Sequence, residues 1–199
     1  NQQGASVNLT SGSAQVHLIT GDIASNYESR FYYLPPTAQW SNEYVAPVGT
    51  NPANGAGCTR VFVYNPATSG TLTVNYQIGS PPGSTGTIAV PAGTAQRSPA
   101  IPAPLAARFS ATSNFYALST TDCEGGEIYD WGYPLLPVPD LTTQFLVGWA
   151  PGCTGTTCGQ SGSGSNTGSR SPLWITPESG TGNRIYIDYD GRGAFCAND

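Results

Sequence analysis

The chain contains a single histidine, His17, so a Ser-His-Asp or Cys-His catalytic arrangement would have to use it. His17 lies in the run Gln15–Thr20, whose alternating pattern predicts a β-strand rather than a catalytic loop. A pair of carboxylates for glycoside hydrolysis could come from Glu124, Glu127 and Asp130. Those residues follow a cysteine in a predicted turn, where acidic side chains are commonly just solvated. We therefore predict that the protein is not an enzyme.

Two carboxylates in the sequence DYDG, Asp188 and Asp190, occupy alternate positions before a glycine turn, and Asp199 follows near the C-terminus. Ca²⁺ takes about six to eight oxygen ligands, many of them from loop carboxylates, so these three residues are candidate calcium ligands. No complete calcium loop is present, and Arg184 or Arg192 could relieve the repulsion between the two carboxylates instead. The alternative is a solvated acidic strand end. No organic cofactor is expected.

Aromatic rings that could stack on a sugar form a second class of candidates. They are Trp40, Trp131, Trp149 and Trp174, together with Tyr129 and Tyr133. Tyr129, Trp131 and Tyr133 alternate in YDWGY, and alternate residues of a strand share a face, so they could contact a glycan or another subunit. Trp149 and Trp174 lie in apolar runs and are expected in the core.

The five cysteines indicate an oxidising compartment. No spacing gives C-x-x-C, and the histidine is distant in sequence, so a zinc site is not predicted. Cys153 and Cys158 bracket four small residues, TGTT, and predict a local disulfide. Several pairings of the others remain open; the preferred one joins Cys58 to Cys123 and leaves Cys196 unpaired or joined to another chain.

The surface of this protein must be polar but poorly charged. Charged residues make up 10% of the chain, lysine is absent, and the net charge is −5 with an isoelectric point near 4.6. The acidic balance argues against nucleic acid as a partner, and no apolar run is long enough for membrane insertion. Weak charge repulsion favours self-association. The N-terminus does not resemble a signal peptide, so we expect a mature chain or one cut from a longer protein.

Short β-branched or aromatic runs alternate with turns rich in Gly, Pro, Ser and Asn, and helix signals are almost absent. The predicted strands are Gln15–Thr20, Arg30–Leu34, Arg60–Tyr64, Thr71–Ile78, Thr87–Val90, Ala107–Ala111, Phe115–Thr120, Gln144–Trp149, Leu173–Thr176 and Arg184–Tyr189. About ten short strands predict an all-β fold, a two-sheet antiparallel β-sandwich of jelly-roll type stapled by disulfides. Residues 21–199 are expected to form this single domain. The aliphatic residues at alternate positions of Thr71–Ile78 and Arg184–Tyr189, including Ile185 and Ile187, are expected to face its core.

Three segments together resemble a known module: TGTIAVPAGTAQR at Thr85–Arg97, YDWGYPLLPVPDLTTQFLVGWAPG at Tyr129–Gly152, and SPLWITPESGTGNRIYIDYDG at Ser171–Gly191. Their WGY, GWAPG, SPLWITP and YIDYDG motifs resemble those of a β-sandwich module of large bacterial extracellular proteins. That module is akin to bacterial relatives of the immunoglobulin-Fc-binding-protein N-terminal domain. The resemblance covers the C-terminal two-thirds and implies a building block of surface or filament proteins. The chain departs from the pattern by ending soon after Asp190 without a further module.

The N-terminal segment, residues 1–20, is polar and mildly alternating, and it is a candidate for an exchanged strand built on Val16, Leu18 and Thr20. Such a strand can pair with the sheet edge of a neighbouring subunit through backbone hydrogen bonds. We therefore expect a subunit or module of a bacterial cell-surface filament or adhesin, located outside the cell. Its most favoured partner is itself, and a surface glycan or a receptor on a host or neighbouring cell is an alternative. A carbohydrate-binding module is the alternative function. Asn8 begins the only N-glycosylation sequence.

Overall fold

The structure is a computed structural model of the chain. It describes residues 9–21, 29–46, 59–80, 83–103, 105–121, 131–144, 175 and 184–185. Within these ranges the chain is mostly strand, and its helical content consists of two short 3-10 turns, Thr37–Gln39 and Val138–Asp140. The predicted all-β class is confirmed.

Nine strands are described, and all of their pairings are antiparallel. They are β1 (His17–Gly21), β2 (Ser29–Tyr33), β3 (Ser41–Ala46), β4 (Thr59–Tyr64), β5 (Thr71–Ile78), β6 (Ser84–Pro91), β7 (Ala95–Arg97), β8 (Ala107–Thr121) and β9 (Trp131–Pro134). β1 and β2 form a two-stranded sheet. The other seven form one sheet in the order β6-β5-β8-β4-β7, and β3 and β9 also pair with β8.

The long strand β8 organises the seven-stranded sheet. Its first half pairs with β5 and β3, and its second half, from Tyr116 to Thr121, pairs with β4 and β9. The sequence predicts two strands here, Ala107–Ala111 and Phe115–Thr120, on either side of the polar residues 112–114. The structure has one strand, since the segment contains no glycine or proline that would end it, and these residues are simply exposed.

The seven-stranded sheet curls until it is nearly closed, like a barrel. β6 and β7 lie at opposite ends of the strand order, yet a tight turn at Ala92–Thr94 joins them directly. Gly93 has a φ of +69° in this turn, a conformation that favours glycine. The curl encloses a single core whose residues are Tyr44, Ala46, Val61, Val63, Leu72, Val74, Ile78, Ile88, Val90, Ile101, Ala107, Phe109, Phe115, Ala117 and Leu135.

Alternation correctly predicts the core face of β5, where Leu72, Val74 and Ile78 are all buried. The expectation that Ile185 faces the core is wrong, because its side chain is 51% exposed. Ile175, Arg184 and Ile185 all lie outside any strand, although the sequence predicts strands there. Apolar alternation cannot show whether a neighbouring strand covers a segment. The strands that the sequence does not predict are β3, β7 and β9.

Candidate functional site

The outer edge of β1 is a backbone surface suited to pairing with another strand. The Leu34 amide donates a 3.0 Å hydrogen bond to the Val16 carbonyl, and the register continues with Leu18 opposite Tyr32. Bonded and non-bonded pairs alternate in an antiparallel ladder. The N–H and C=O groups of Ile19 and Gly21 therefore point away from β2, and no described strand pairs with these two residues on that side.

The residues predicted to build an assembly strand are Val16, Leu18 and Thr20, and by the same alternation their backbone groups face β2. The sequence locates the strand correctly to within two residues. The sequence does not show which backbone groups of this strand face outward, because that depends on how β1 pairs with its partner strand. Leu18 still contributes to this surface, since its side chain is 41% exposed.

The hairpin of β1 and β2 is anchored to the seven-stranded sheet by Tyr32. This ring is buried, and its hydroxyl shares a 2.9 Å hydrogen bond with the Thr120 hydroxyl on β8. Gly132 on β9 lies directly beneath the ring, where a Cβ atom would collide with it. On the other side of β2, the exposed Tyr33 ring contacts the His17 ring, with 5.9 Å between their centroids.

The outer face of the sheet around the first half of β8 is polar. An open depression of about 420 Å³ lies there, lined by Asn75, Tyr76, Gln77, Thr85, Gly86, Thr87, Arg108 and Ser110. Arg108 is held by Glu43, whose Oε1 accepts from Nε at 2.7 Å and lies 2.6 Å from an Nη atom. The one described arginine on this face is therefore neutralised by a partner carboxylate.

The outer face around the second half of β8 is aromatic and carries two arginines. Val61 and Val63 of β4 are fully buried in the core, so Arg60, Phe62 and Tyr64 point to the opposite side. Arg97 and Leu118 lie directly across from Phe62 on the two neighbouring strands. Trp40 completes this surface, which we call the arginine–aromatic face: Trp40, Arg60, Phe62, Tyr64, Arg97 and Leu118.

Ring contacts give one end of this face its shape. The Trp40 ring meets Tyr64 edge-on, with 6.1 Å between centroids, and lies 5.4 Å from the Tyr116 ring. Trp40 is fixed by its indole N–H, which donates to the Pro35 carbonyl at 3.1 Å, and its own carbonyl accepts from Asn114. The sequence indicates Trp40 as a candidate ring but not Tyr64, because the two residues are distant in sequence and their rings meet only in the folded chain.

A buried hydroxyl lies beneath these rings. The Tyr116 hydroxyl has no hydrogen-bond partner among the described residues, and burial raises the pKa of Tyr116 well above its usual value, with Tyr32 and Tyr44 adding to the effect. Burial also raises the pKa of Tyr44, whose hydroxyl donates to the Phe115 carbonyl at 2.7 Å. Both phenols therefore remain neutral at physiological pH.

Of the predicted triad Tyr129, Trp131 and Tyr133, the structure describes the side chain of Tyr133 alone. Tyr133 is partly buried and packs against the core, and burial raises its pKa. Trp131 begins β9 opposite Thr121, and Tyr129 lies outside the described residues.

Most of the other predicted site residues also lie outside the described ranges. They are Asn8, Cys58, Cys123, Glu124, Glu127, Asp130, Cys153, Cys158, Asp188, Asp190 and Asp199. In the part of the chain that is described, no three His, Cys, Asp or Glu residues are grouped closely enough to hold a metal ion. The same part has no helix of the length and apolarity needed to cross a membrane.

Comparison with protein-family models, with curated proteins and with solved structures finds no match to this chain.

Proposed function

We propose that this chain is an extracellular structural protein, a subunit or module of a bacterial cell-surface filament or adhesin. It assembles through strand-edge or strand-exchange contacts. The main supporting observation is the outer edge of β1, where Ile19 and Gly21 direct backbone donors and acceptors away from β2. Added strands gain affinity from main-chain hydrogen bonds, so this edge needs no special side chains to recruit a partner.

The size of the hairpin also favours this proposal. A two-stranded sheet is marginally stable on its own, and a third strand or further packing strengthens it. In the described part of the chain this sheet has two strands, β1 and β2, and the side chains of Leu18 and Tyr33 on them are about 40% exposed. A strand from a second copy would extend this sheet and cover part of that apolar surface. A contact between two different surfaces propagates as a fibre when its rotation does not close a ring.

The first test is electron microscopy of native material, with light scattering on the same sample. Ordered fibres with one subunit per repeat are the expected result. Monodisperse monomers of 20.7 kDa would refute the filament proposal.

A matched pair of variants tests whether the β1 edge is the contact. Ile19→Pro removes the outward N–H of Ile19, and edge strands tolerate proline where that group faces solvent. Ile19→Ala removes the side chain and keeps the N–H. We expect Ile19→Pro to abolish fibres and Ile19→Ala to retain them, with equal circular dichroism spectra for the two proteins. Fibres that persist in the proline variant, or disappear equally in both, would exclude edge pairing at this position.

The proposal extends to the finer architecture, a jelly-roll-like β-sandwich stapled by disulfides between Cys153 and Cys158 and between Cys58 and Cys123. For the sandwich, the support is that β8 has two sets of partners whose inner faces bury one core. For the second disulfide, the support is the register at the end of β4. Thr59 pairs with Thr121 there, with 2.8 Å between their hydroxyl oxygens. Cys58 precedes Thr59 by one residue and Cys123 follows Thr121 by two.

Peptide mapping by mass spectrometry tests these disulfides. Digestion without reducing agent should give linked peptides for Cys58 with Cys123 and for Cys153 with Cys158. Linked peptides of any other combination would replace this pairing, and free thiols at all five cysteines would also contradict the extracellular location.

A further inference from the structure

The arginine–aromatic face is presented outward by four neighbouring strands in register. One continuous row of side chains crosses β7, β4, β8 and β9, and it consists of Arg97, Phe62, Leu118 and Pro134. Side chains directly opposite in an antiparallel pair lie about 5 Å apart at Cβ, so these side chains are adjacent. Arg97 is exposed and the other three are partly exposed, so the row is accessible from solvent.

Aromatic rings lie along one side of this row. Tyr64 lies two residues beyond Phe62 on the same face of β4, and the Trp40 ring meets it edge-on at 6.1 Å. Because Trp40 is fixed by its hydrogen bond to the Pro35 carbonyl, this ring is positioned before any ligand arrives. Ordered, partly exposed aromatic rings offer a large contact area for little loss of conformational entropy.

The charge of this face is opposite to that of the whole chain. The chain has a net charge of −5, yet Arg60 and Arg97 both belong to the face. The described acidic residues lie elsewhere: Glu43 binds Arg108 beside the first half of β8, and Asp140 ends the turn Val138–Asp140. Arg60 makes one 3.3 Å hydrogen bond, to the Ser98 carbonyl, which leaves its charge uncompensated by any described carboxylate.

Two chemical features therefore coexist on one surface. Guanidinium groups bind carboxylates and sulfates through paired, charge-assisted hydrogen bonds. Aromatic faces pack against the apolar C–H faces of a sugar ring. Nucleic-acid binding requires basic residues that neutralise many phosphates, whereas two arginines beside aromatic rings are enough to contact a short acidic saccharide.

We propose that the arginine–aromatic face binds a negatively charged saccharide, with Arg60 and Arg97 contacting its carboxylate or sulfate groups. Phe62, Tyr64 and Trp40 contact the sugar rings. None of the residues of this face belongs to the outer edge of β1, so glycan binding and filament assembly can be tested independently.

Titration calorimetry on the full chain tests the proposal with three probes: an oligogalacturonate, a heparin-derived oligosaccharide and a neutral cello-oligosaccharide. We expect at least one acidic probe to bind, with a Kd that rises with salt concentration, and the neutral probe to bind far more weakly. Failure of both acidic probes at millimolar concentration would overturn the proposal, as would equal affinity for the neutral one.

Three charge-matched variants locate the site. Arg97→Gln and Arg60→Gln should each weaken binding by about tenfold or more, as expected for loss of a charge-assisted hydrogen bond. Arg108→Gln removes the same charge from the polar face and should change the Kd by less than about twofold, because its partner Glu43 already neutralises it. An equal loss for all three would indicate a general charge effect and refute this location. Phe62→Leu separates stacking from charge, since it keeps an apolar side chain without the ring, and an unchanged Kd would refute stacking there.

Light scattering of each titrated sample separates this proposal from filament assembly. Binding of an acidic saccharide by a monomer would support the glycan site and refute the assembly proposal. Fibres that bind neither acidic probe would support assembly and refute the glycan site.

Discussion

Replacing Gly132 with alanine should detach the hairpin of β1 and β2 from the seven-stranded sheet. An added Cβ would collide with the Tyr32 hydroxyl and lie 2.5 Å from its Cζ atom, well inside contact distance. The ring cannot move aside at no cost, because it is 2% exposed and bonded to Thr120 at 2.9 Å. Overpacking of this kind typically costs about 1–3 kcal/mol, and loss of the hydrogen bond adds about 0.5–1.5 kcal/mol. A cost of that size is enough to open a two-stranded hairpin.

Hydrogen exchange followed by mass spectrometry measures the effect where it should occur. In Gly132→Ala we expect amide protection to fall in residues 29–33 while the peptides of β4 and β5 keep theirs. Tyr32→Leu removes both the colliding atoms and the bond to Thr120. The alanine substitution should then cost much less in a Tyr32→Leu background than alone, giving a clear coupling energy. Unchanged protection of residues 29–33 in Gly132→Ala, or strict additivity of the two changes, would refute this account of how the hairpin is held.

Three further substitutions test the core and the charge assignments by thermal or denaturant unfolding. Tyr116→Phe should raise the free energy of unfolding by about 1–3 kcal/mol, since it removes a buried hydroxyl that has no partner among the described residues. In the unsubstituted protein Tyr116 stays protonated when folded but ionises near pH 10 when unfolded, so its contribution makes the free energy of unfolding fall as the pH rises above 10. Tyr116→Phe removes this contribution, so the free energy of unfolding should fall less steeply above pH 10. A destabilised Tyr116→Phe protein would show that the hydroxyl is paired. Glu43→Gln should cost no more than about 1 kcal/mol, because its ion pair with Arg108 is about one-third exposed and is screened by solvent; a larger loss would contradict this. Phe109→Ala should cost about 3–5 kcal/mol, since the ring is fully buried, and a loss below about 1 kcal/mol would contradict its place in the core.

The sequence predicts those elements whose local pattern matches their final environment. β5 has the predicted boundaries, because Leu72, Val74 and Ile78 alternate with exposed polar residues along a strand whose one side is buried. β3 is not predicted, since SNEYVA contains a glutamate and an asparagine and has no clear apolar alternation. It becomes a strand because β8 supplies a ladder for it, with Tyr44 opposite Phe109. The tertiary partner, rather than local propensity, decides that segment.

The functional surfaces depend even more on tertiary pairing. The sequence YDWGY places Tyr129, Trp131 and Tyr133 at alternate positions, a pattern that is easily recognised as a possible aromatic surface. Tyr133 packs against the core instead, because its strand β9 directs it opposite Ser119, which is buried. Trp40 and Tyr64 have no common sequence motif and meet only when the chain has folded.

The two proposed surfaces have consequences for each other through valency. A solvent-accessible face that binds one charged sugar group through one or two arginines gives modest affinity. If β1 edges link copies into a filament, each fibre presents the arginine–aromatic face repeatedly at a fixed spacing. A long acidic polysaccharide can then engage several copies, and the effective concentration of each later contact increases avidity by orders of magnitude without new contacts. Ile19→Pro should therefore leave the Kd for a short acidic oligosaccharide unchanged while weakening retention on a surface coated with the long polymer. Equal retention of the monomeric variant and the fibres would show that the two surfaces do not act together.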